Sequence, residues 1–251
     1  MAAVSHMGKI RQNNEDNFYV QGQIRQDTTQ PQAEARYQGM DSPLLCAVAD
    51  GMGGADLGEL ASLVVVQHLQ PCRISQVPEV AGQCIQQAND IICDEIVQKN
   101  LRGMGSTLAA LYIDGNQAVA CNVGDSRVYR IHEAVLEQIS VDHTHVQLMV
   151  SMGLLTKEQA RNHRDRHALT QNIGIPPEEF AIEPAFSEAM QVITGDVFIL
   201  CSDGLTDMVS DEQILEIASS GSAKEITRNL VQCALANGGH DNVTVIVITI
   251  K

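Results

Sequence analysis

The sequence predicts an α+β fold, a largely antiparallel sheet or sandwich with helices packed outside it. Three observations carry this. Strand-like apolar runs follow one another across gaps too short for a crossover helix. Helical patterns come in pairs rather than one per strand, which argues against a βαβ alternation. The 251 residues, 44% of them hydrophobic, suit one domain, 1–251, with a sizeable core.

The elements follow in chain order. A strand is expected at Asn17–Gln21, and a Gln-rich polar stretch, 25–42, reads as a long hairpin loop. A continuous apolar strand, Leu44–Ala49, precedes helical patterns at about 55–70 and 79–100. Four strands then form a meander: Thr107–Ile113, Gln117–Val123, Arg127–Ile131 and Val135–Ile139. The gaps DGNQ (114–117) and HEAV (132–135) supply its turns. Helical patterns at 144–153 and 156–162 lead to a strand at Val197–Cys201. Helices at 211–219 and 222–237 precede the last strand, Val243–Ile250.

A formal net charge of −15 makes nucleic acid and anionic membrane poor partners. An anionic substrate would need something to reverse the local field. The seven cysteines are scattered with no CxxC spacing, which reads as reduced thiols and not as zinc sites or a disulfide framework. No apolar stretch reaches eighteen residues, and the N-terminus lacks a signal-peptide core. The expectation is a cytoplasmic chain with no membrane insertion.

Four aspartates share one context: Asp50 in AVADG, Asp125 in CNVGDSR, Asp203 in FILCSDG and Asp241 in GGHDNVTVIVI. Each ends an apolar run or precedes one. One such Asp reads as a turn or cap residue. Four that converge must be neutralised by protons or cations. An all-oxygen donor set selects hard cations, Mg²⁺ or Mn²⁺. Phosphate-loop readings fail: GMGGAD (51–56) lacks the last Gly of a dinucleotide loop, and GMGST (103–107) lacks the Lys of a Walker loop. HRD (163–165) is not a kinase loop, because Thr170 stands where its Asn belongs.

Seven collinear motifs resemble the bacterial branch of the metal-dependent protein phosphatases, the protein phosphatase 2C (PPM) family. They are SHMGKIRQNNEDNF (5–18), VADGMGG (48–54), GSTLAAL (105–111), NVGDSRVYRI (122–131), DHTHVQLMVSMGLLTKEQA (142–160), ILCSDGLTDMVSD (199–211) and GGHDNVTVIVI (238–248). The resemblance implies a four-layer αββα sandwich with a two-metal centre at one end and a flap at about 142–190. That flap is expected to be mobile, since HRDRH and GIPPEE carry no sustained apolar pattern.

The resemblance also implies roles. Asp50 bridges two Mn²⁺ or Mg²⁺ ions and the Gly51 carbonyl binds one. Asp203 and Asp241 complete the other, Glu15 and Asp16 hold metal-bound waters, and Asp125 with Asp203 can bind a third ion. Arg11 grips the substrate phosphate. Two cations activate a bridging water for direct in-line hydrolysis of phosphoserine or phosphothreonine. The metals also make a positive pocket in an acidic protein. The implied partners are phosphorylated proteins and a cognate serine/threonine kinase, met by a monomer. A phosphatase of small metabolites and an inactive phosphoprotein binder are the competing readings.

Met52 stands where eukaryotic members carry a proposed general-acid His, so the leaving-group proton has no assigned donor. A metal-bound water near Asp125 is favoured over His143, His145, His163 or His167, none of which has a partner visible in the sequence. His240 and those four read as solvated loop residues. On the bland reading Asp125 pairs with Arg127, and Ser106 and Thr107 are strand residues.

Overall fold

The computed structural model describes residues 1–251 except 28, 40, 41, 54–56, 102, 177 and 179. Gly54 of VADGMGG, the first two residues of the helix expected at 55–70, and Pro177 and Glu179 of GIPPEE lie outside the described residues.

Two antiparallel sheets form the centre. One runs, from edge to edge, Val135–Gln138, Arg127–His132, Val197–Cys201, Val243–Thr249, Ala2–His6 and Gln32–Arg36. The other runs Ala185–Phe186, Gln117–Val123, Leu108–Asp114, Leu44–Ala49, Asn17–Val20 and Gln23–Ile24, with Met190–Gln191 also on Gln117–Val123. A two-residue pairing, Gly51–Met52 with Gly105–Ser106, extends beyond the second sheet.

Period-two side-chain alternation explains the layering. In Leu44–Ala49 all six residues are buried, because both faces are covered. Cys46 and Val48 pack between the sheets with Phe198, Leu200 and Ile246. Leu45, Ala47 and Ala49 face the other way, onto Ala61, Val65, Ile85 and Ile92 of helices Leu57–His68 and Val77–Lys99. Val243, Val245 and Val247 likewise pack on Ile214, Ile226 and Leu230 of helices Asp211–Ala218 and Ala223–Ala236. These helices start at capping boxes, Ser210 with Gln213 and Ser222 with Glu225. The layers are therefore helix, sheet, sheet, helix, as the resemblance implied.

Three expectations need correction. The stretch 25–42 is not all loop: Gln32–Arg36 is an edge strand on Ala2–His6. Ala2–His6 itself is an inner strand that the sequence reading passed over, since AAVSH is short and mixed. The end of the segment drawn as flap belongs to the sheet, because Ala185–Phe186 pairs with Cys121 and Asn122.

Antiparallel pairing alone collects the acidic motifs. Leu44–Ala49 and Gln117–Val123 both run against Leu108–Asp114, so their C-terminal ends, leading to Asp50 and Asp125, share one end of their sheet. Asn17–Val20 runs against Leu44–Ala49, which brings Glu15 and Asp16 to that end. In the first sheet, Val197–Cys201 runs against Val243–Thr249, placing Asp203 beside Asp241. Ala2–His6 also opposes Val243–Thr249 and delivers the Arg11 segment there.

Candidate active site

Asp50 leaves its strand into a tight backbone junction. Its N–H donates to Thr107 Oγ1 at 3.1 Å, and its carbonyl accepts from Thr107 N at 2.9 Å and Ser106 Oγ at 3.1 Å. Gly51 is required there: a Cβ would lie 2.0 Å from the Gly58 carbonyl oxygen and 2.6 Å from that of Glu15. Burial pushes the Asp50 carboxyl well above its ordinary range, and Asp16, Asp203, Asp125 and Asp241 push it further.

Asp16 is fully buried. Its Oδ2 accepts from Ser202 Oγ at 2.8 Å, while Oδ1 is buried with no hydrogen-bond partner among the described residues. Burial pushes it up to about 7, with Asp203 and Asp241 adding to the rise. Glu15 is also buried, and burial raises its carboxyl despite a 3.2 Å bond from Asn13 Nδ2.

Asp125 does not pair with Arg127. Arg127 bonds Asp142 instead, Nε and Nη2 reaching its carboxylate at 3.0 Å and 2.6 Å. Asp125 is left facing Asp203, and burial with that neighbour pushes it up to about 8. Asp125, Asp203 and His167 each offer a ligand atom, all within 4.8 Å of one another.

His167 is one of the four histidines that sequence reasoning set below a metal-bound water as the proton donor. Its Nδ1 lies 3.2 Å from Asp203 Oδ2 and its Nε2 3.2 Å from Asp207 Oδ2. Those two bonds push the imidazole up to about 10. The histidine is exposed, but the expectation that it has no partner is corrected: partners 36 and 40 positions away leave no local signal. His143 is different, half-buried and lowered by burial, with Nδ1 accepting from Gly124 N at 3.3 Å.

Arg11 is half exposed and lies 2.6 Å from Asp241 Oδ2. Its segment is tied down by Asn242, whose Nδ2 donates to the Met7 and Asn13 carbonyls, each at 2.9 Å, and whose Oδ1 accepts from Glu15 N at 2.7 Å. The structure thus places Asp50 in the field of Asp16, Asp125, Asp203 and Asp241, with Arg11 on the rim of the cluster.

Carboxyls pushed toward the protonated form by burial and by one another, one with an oxygen orphaned among the described residues, fit a site made for divalent cations of the Mg²⁺ and Mn²⁺ class.

The model of the protein phosphatase 2C family matches residues 16–242, and the chain belongs to that family. Serine/threonine protein phosphatase PstP of Mycobacterium tuberculosis is 35% identical over 251 residues, covering 98% of this chain and 44% of that protein. The chain thus spans less than half the length of that relative. Serine/threonine phosphatase stp of Listeria monocytogenes is 32% identical over 252 residues, with 96% of this chain and 92% of that protein covered. The crystal structure of the PstP catalytic domain with two manganese ions superimposes with a TM-score of 0.76 at 32% identity, over 98% of each chain.

Proposed function

We propose that this chain is one catalytic domain that hydrolyses phosphoserine and phosphothreonine on proteins, using Mn²⁺ or Mg²⁺. The carrying observation is the carboxylate cluster at one end of the sandwich, in which Asp16, Asp50 and Asp125 are all pushed toward the protonated form. Family membership and the two-manganese relative support the same reading. Asp50, Gly51, Asp203 and Asp241 would hold the two core ions and Asp125 with Asp203 a third, with Glu15 and Asp16 supporting their waters. When bound, the ions supply Lewis acidity and activate water for attack on phosphorus.

The chain's own residues do the rest. Arg11 rests on Asp241 by a half-exposed pair, so it can exchange that carboxylate for a phosphate in a bidentate grip. Asn242 keeps Arg11, Glu15 and Asp16 on one rigid segment. Met52 carries no proton for the departing alkoxide. His167 is the protonatable side chain that lies beside Asp125 and Asp203, oriented by Asp207. It joins water near Asp125 as a donor for that proton.

The partners are phosphoproteins and the kinase that makes them. Among the described residues no helix is long and apolar enough to cross a membrane. The test is release of phosphate from a phosphothreonine peptide. Turnover is expected with Mn²⁺ or Mg²⁺ and lost on chelation and in Asp50→Asn. Full activity after exhaustive chelation would overturn the reading.

A further inference from the structure

A cleft of 810 Å³ leads away from Asp125 and Asp203. Its floor is Arg127, Tyr129 and Gln138, and one wall is the core turn from Thr206 to Gln213. The other wall is the flap, including Val146, Val150, Lys157, Arg161 and Arg166. A cleft of this size, continuous with the carboxylate cluster, has room for the chain on one side of a phosphorylated residue.

The flap wall departs from the charge of the molecule. Lys157, Arg161, Arg164 and Arg166 are a quarter of the sixteen Lys and Arg in a chain of net charge −15. Three of them line the cleft. Arg161 bonds Asp211 and Arg166 lies 3.5 Å from Asp207, both across the cleft, while Lys157 has no ion-pair partner among the described residues. The two cross-cleft pairs have cationic partners 51% and 42% exposed, so each is worth little and can be exchanged cheaply. The floor pair of Arg127 with Asp142 is largely buried and stays closed. Setting aside that pair, the carboxylates Asp125 and Asp203 of the proposed metal site and the His167 bonded to Asp203 and Asp207, the wall cations Lys157, Arg161 and Arg166 stand three to two against Asp207 and Asp211.

Resting on the proposed phosphatase activity, we propose that this cleft selects substrates carrying Asp or Glu on one side of the phosphorylated residue. Lys157 takes such a carboxylate directly, and Arg161 takes one in exchange for Asp211. The rest of the acidic surface repels the same residues, so the preference belongs to one flank only.

The test is a set of phosphothreonine peptides with Asp, Ala or Lys placed N-terminal or C-terminal to the phosphothreonine. The readout is the ratio of acidic to neutral kcat/KM within each enzyme, in which changes to the chemical step cancel. An exposed ion pair contributes about 1.4- to fivefold, and only the Lys157 contact is gained without breaking another, so the preference on one flank should be about two- to fivefold. That preference should shrink with added salt and collapse or invert in Lys157→Glu/Arg161→Glu. A preference for Lys, an equal response on both flanks, or an unchanged ratio in the double variant would overturn the proposal. Wild-type enzyme that hydrolyses neither the neutral peptide nor para-nitrophenyl phosphate would instead sink the phosphatase reading itself.

Discussion

Asn242→Ala is the sharpest test of how the site is held. The side chain is 5% exposed and makes three bonds, two donated to the Met7 and Asn13 carbonyls and one accepted from Glu15 N. Each is worth about 0.5–1.5 kcal/mol net, and the stranded Glu15 N–H adds a desolvation cost, so the sum is about 3 kcal/mol. For a domain of this size, that corresponds to a fall in Tm of roughly 6–12 °C. The freed segment carries Arg11, so KM for a phosphopeptide should rise more than kcat falls. Asn242→Asp keeps the acceptor for Glu15 N but turns a buried carboxylate oxygen onto the Met7 and Asn13 carbonyls, and should melt no higher than Asn242→Ala. Thermal melts beside steady-state kinetics decide it. A melting temperature within a degree of wild type together with unchanged KM would show that the Arg11 segment holds itself, and the clamp argument would be wrong.

Arg11→Ala removes a charge-assisted grip worth about 1.5–3 kcal/mol; kcat/KM should drop by roughly 10- to 100-fold while calorimetry still finds the core ions. His167→Ala should slow phosphopeptide turnover more than para-nitrophenyl phosphate turnover, because only the alkoxide needs a proton; equal losses would leave the donor role to water near Asp125, and Asp125→Ala then becomes the substrate-selective variant. The metal-free protein should lose stability as pH rises from 6 to 9. Asp16 and Asp125 are raised to about 7 and about 8 in the fold, so their contribution is complete below the ordinary carboxylate range and is lost as pH passes through those values. His167, raised to about 10, acts in the same direction. Saturating Mn²⁺ should flatten the trend and release protons on binding, measured calorimetrically in buffers of different ionisation enthalpy; a metal-free Tm that climbs across this window would contradict the assigned shifts.

Much of the fold was legible because apolar runs such as Leu44–Ala49 and Gln117–Val123 are buried on both faces and stand out from the turns between them. Ala2–His6 and Gln32–Arg36 were not, since AAVSH and QAEAR are short and weakly apolar and owe their strand state to neighbours far along the chain. The aspartates could be read from their strand ends. Their convergence could not, because it follows from which strands run against which. The roles of His167 and Asn242 were hidden for the same reason: each is defined by partners across the molecule, which local spacing does not reveal.

The site joins distant parts of the chain. Ser202 bonds Asp16 across 186 positions, Asn242 bonds Glu15 across 227, and Arg11 bonds Asp241 across 230. Closing loops of that span is slow, and their entropy is spent before these contacts form. A cut in the flap between 153 and 157 would therefore divide the carboxylates between two fragments, Asp16, Asp50 and Asp125 on one and Asp203 and Asp241 on the other. Neither piece would own all the carboxylates proposed to hold the cations. The Val243–Thr249 strand can still find Ala2–His6 across the break, so the two halves form a natural pair for complementation, in which divalent cation would act as the glue that reports their reunion.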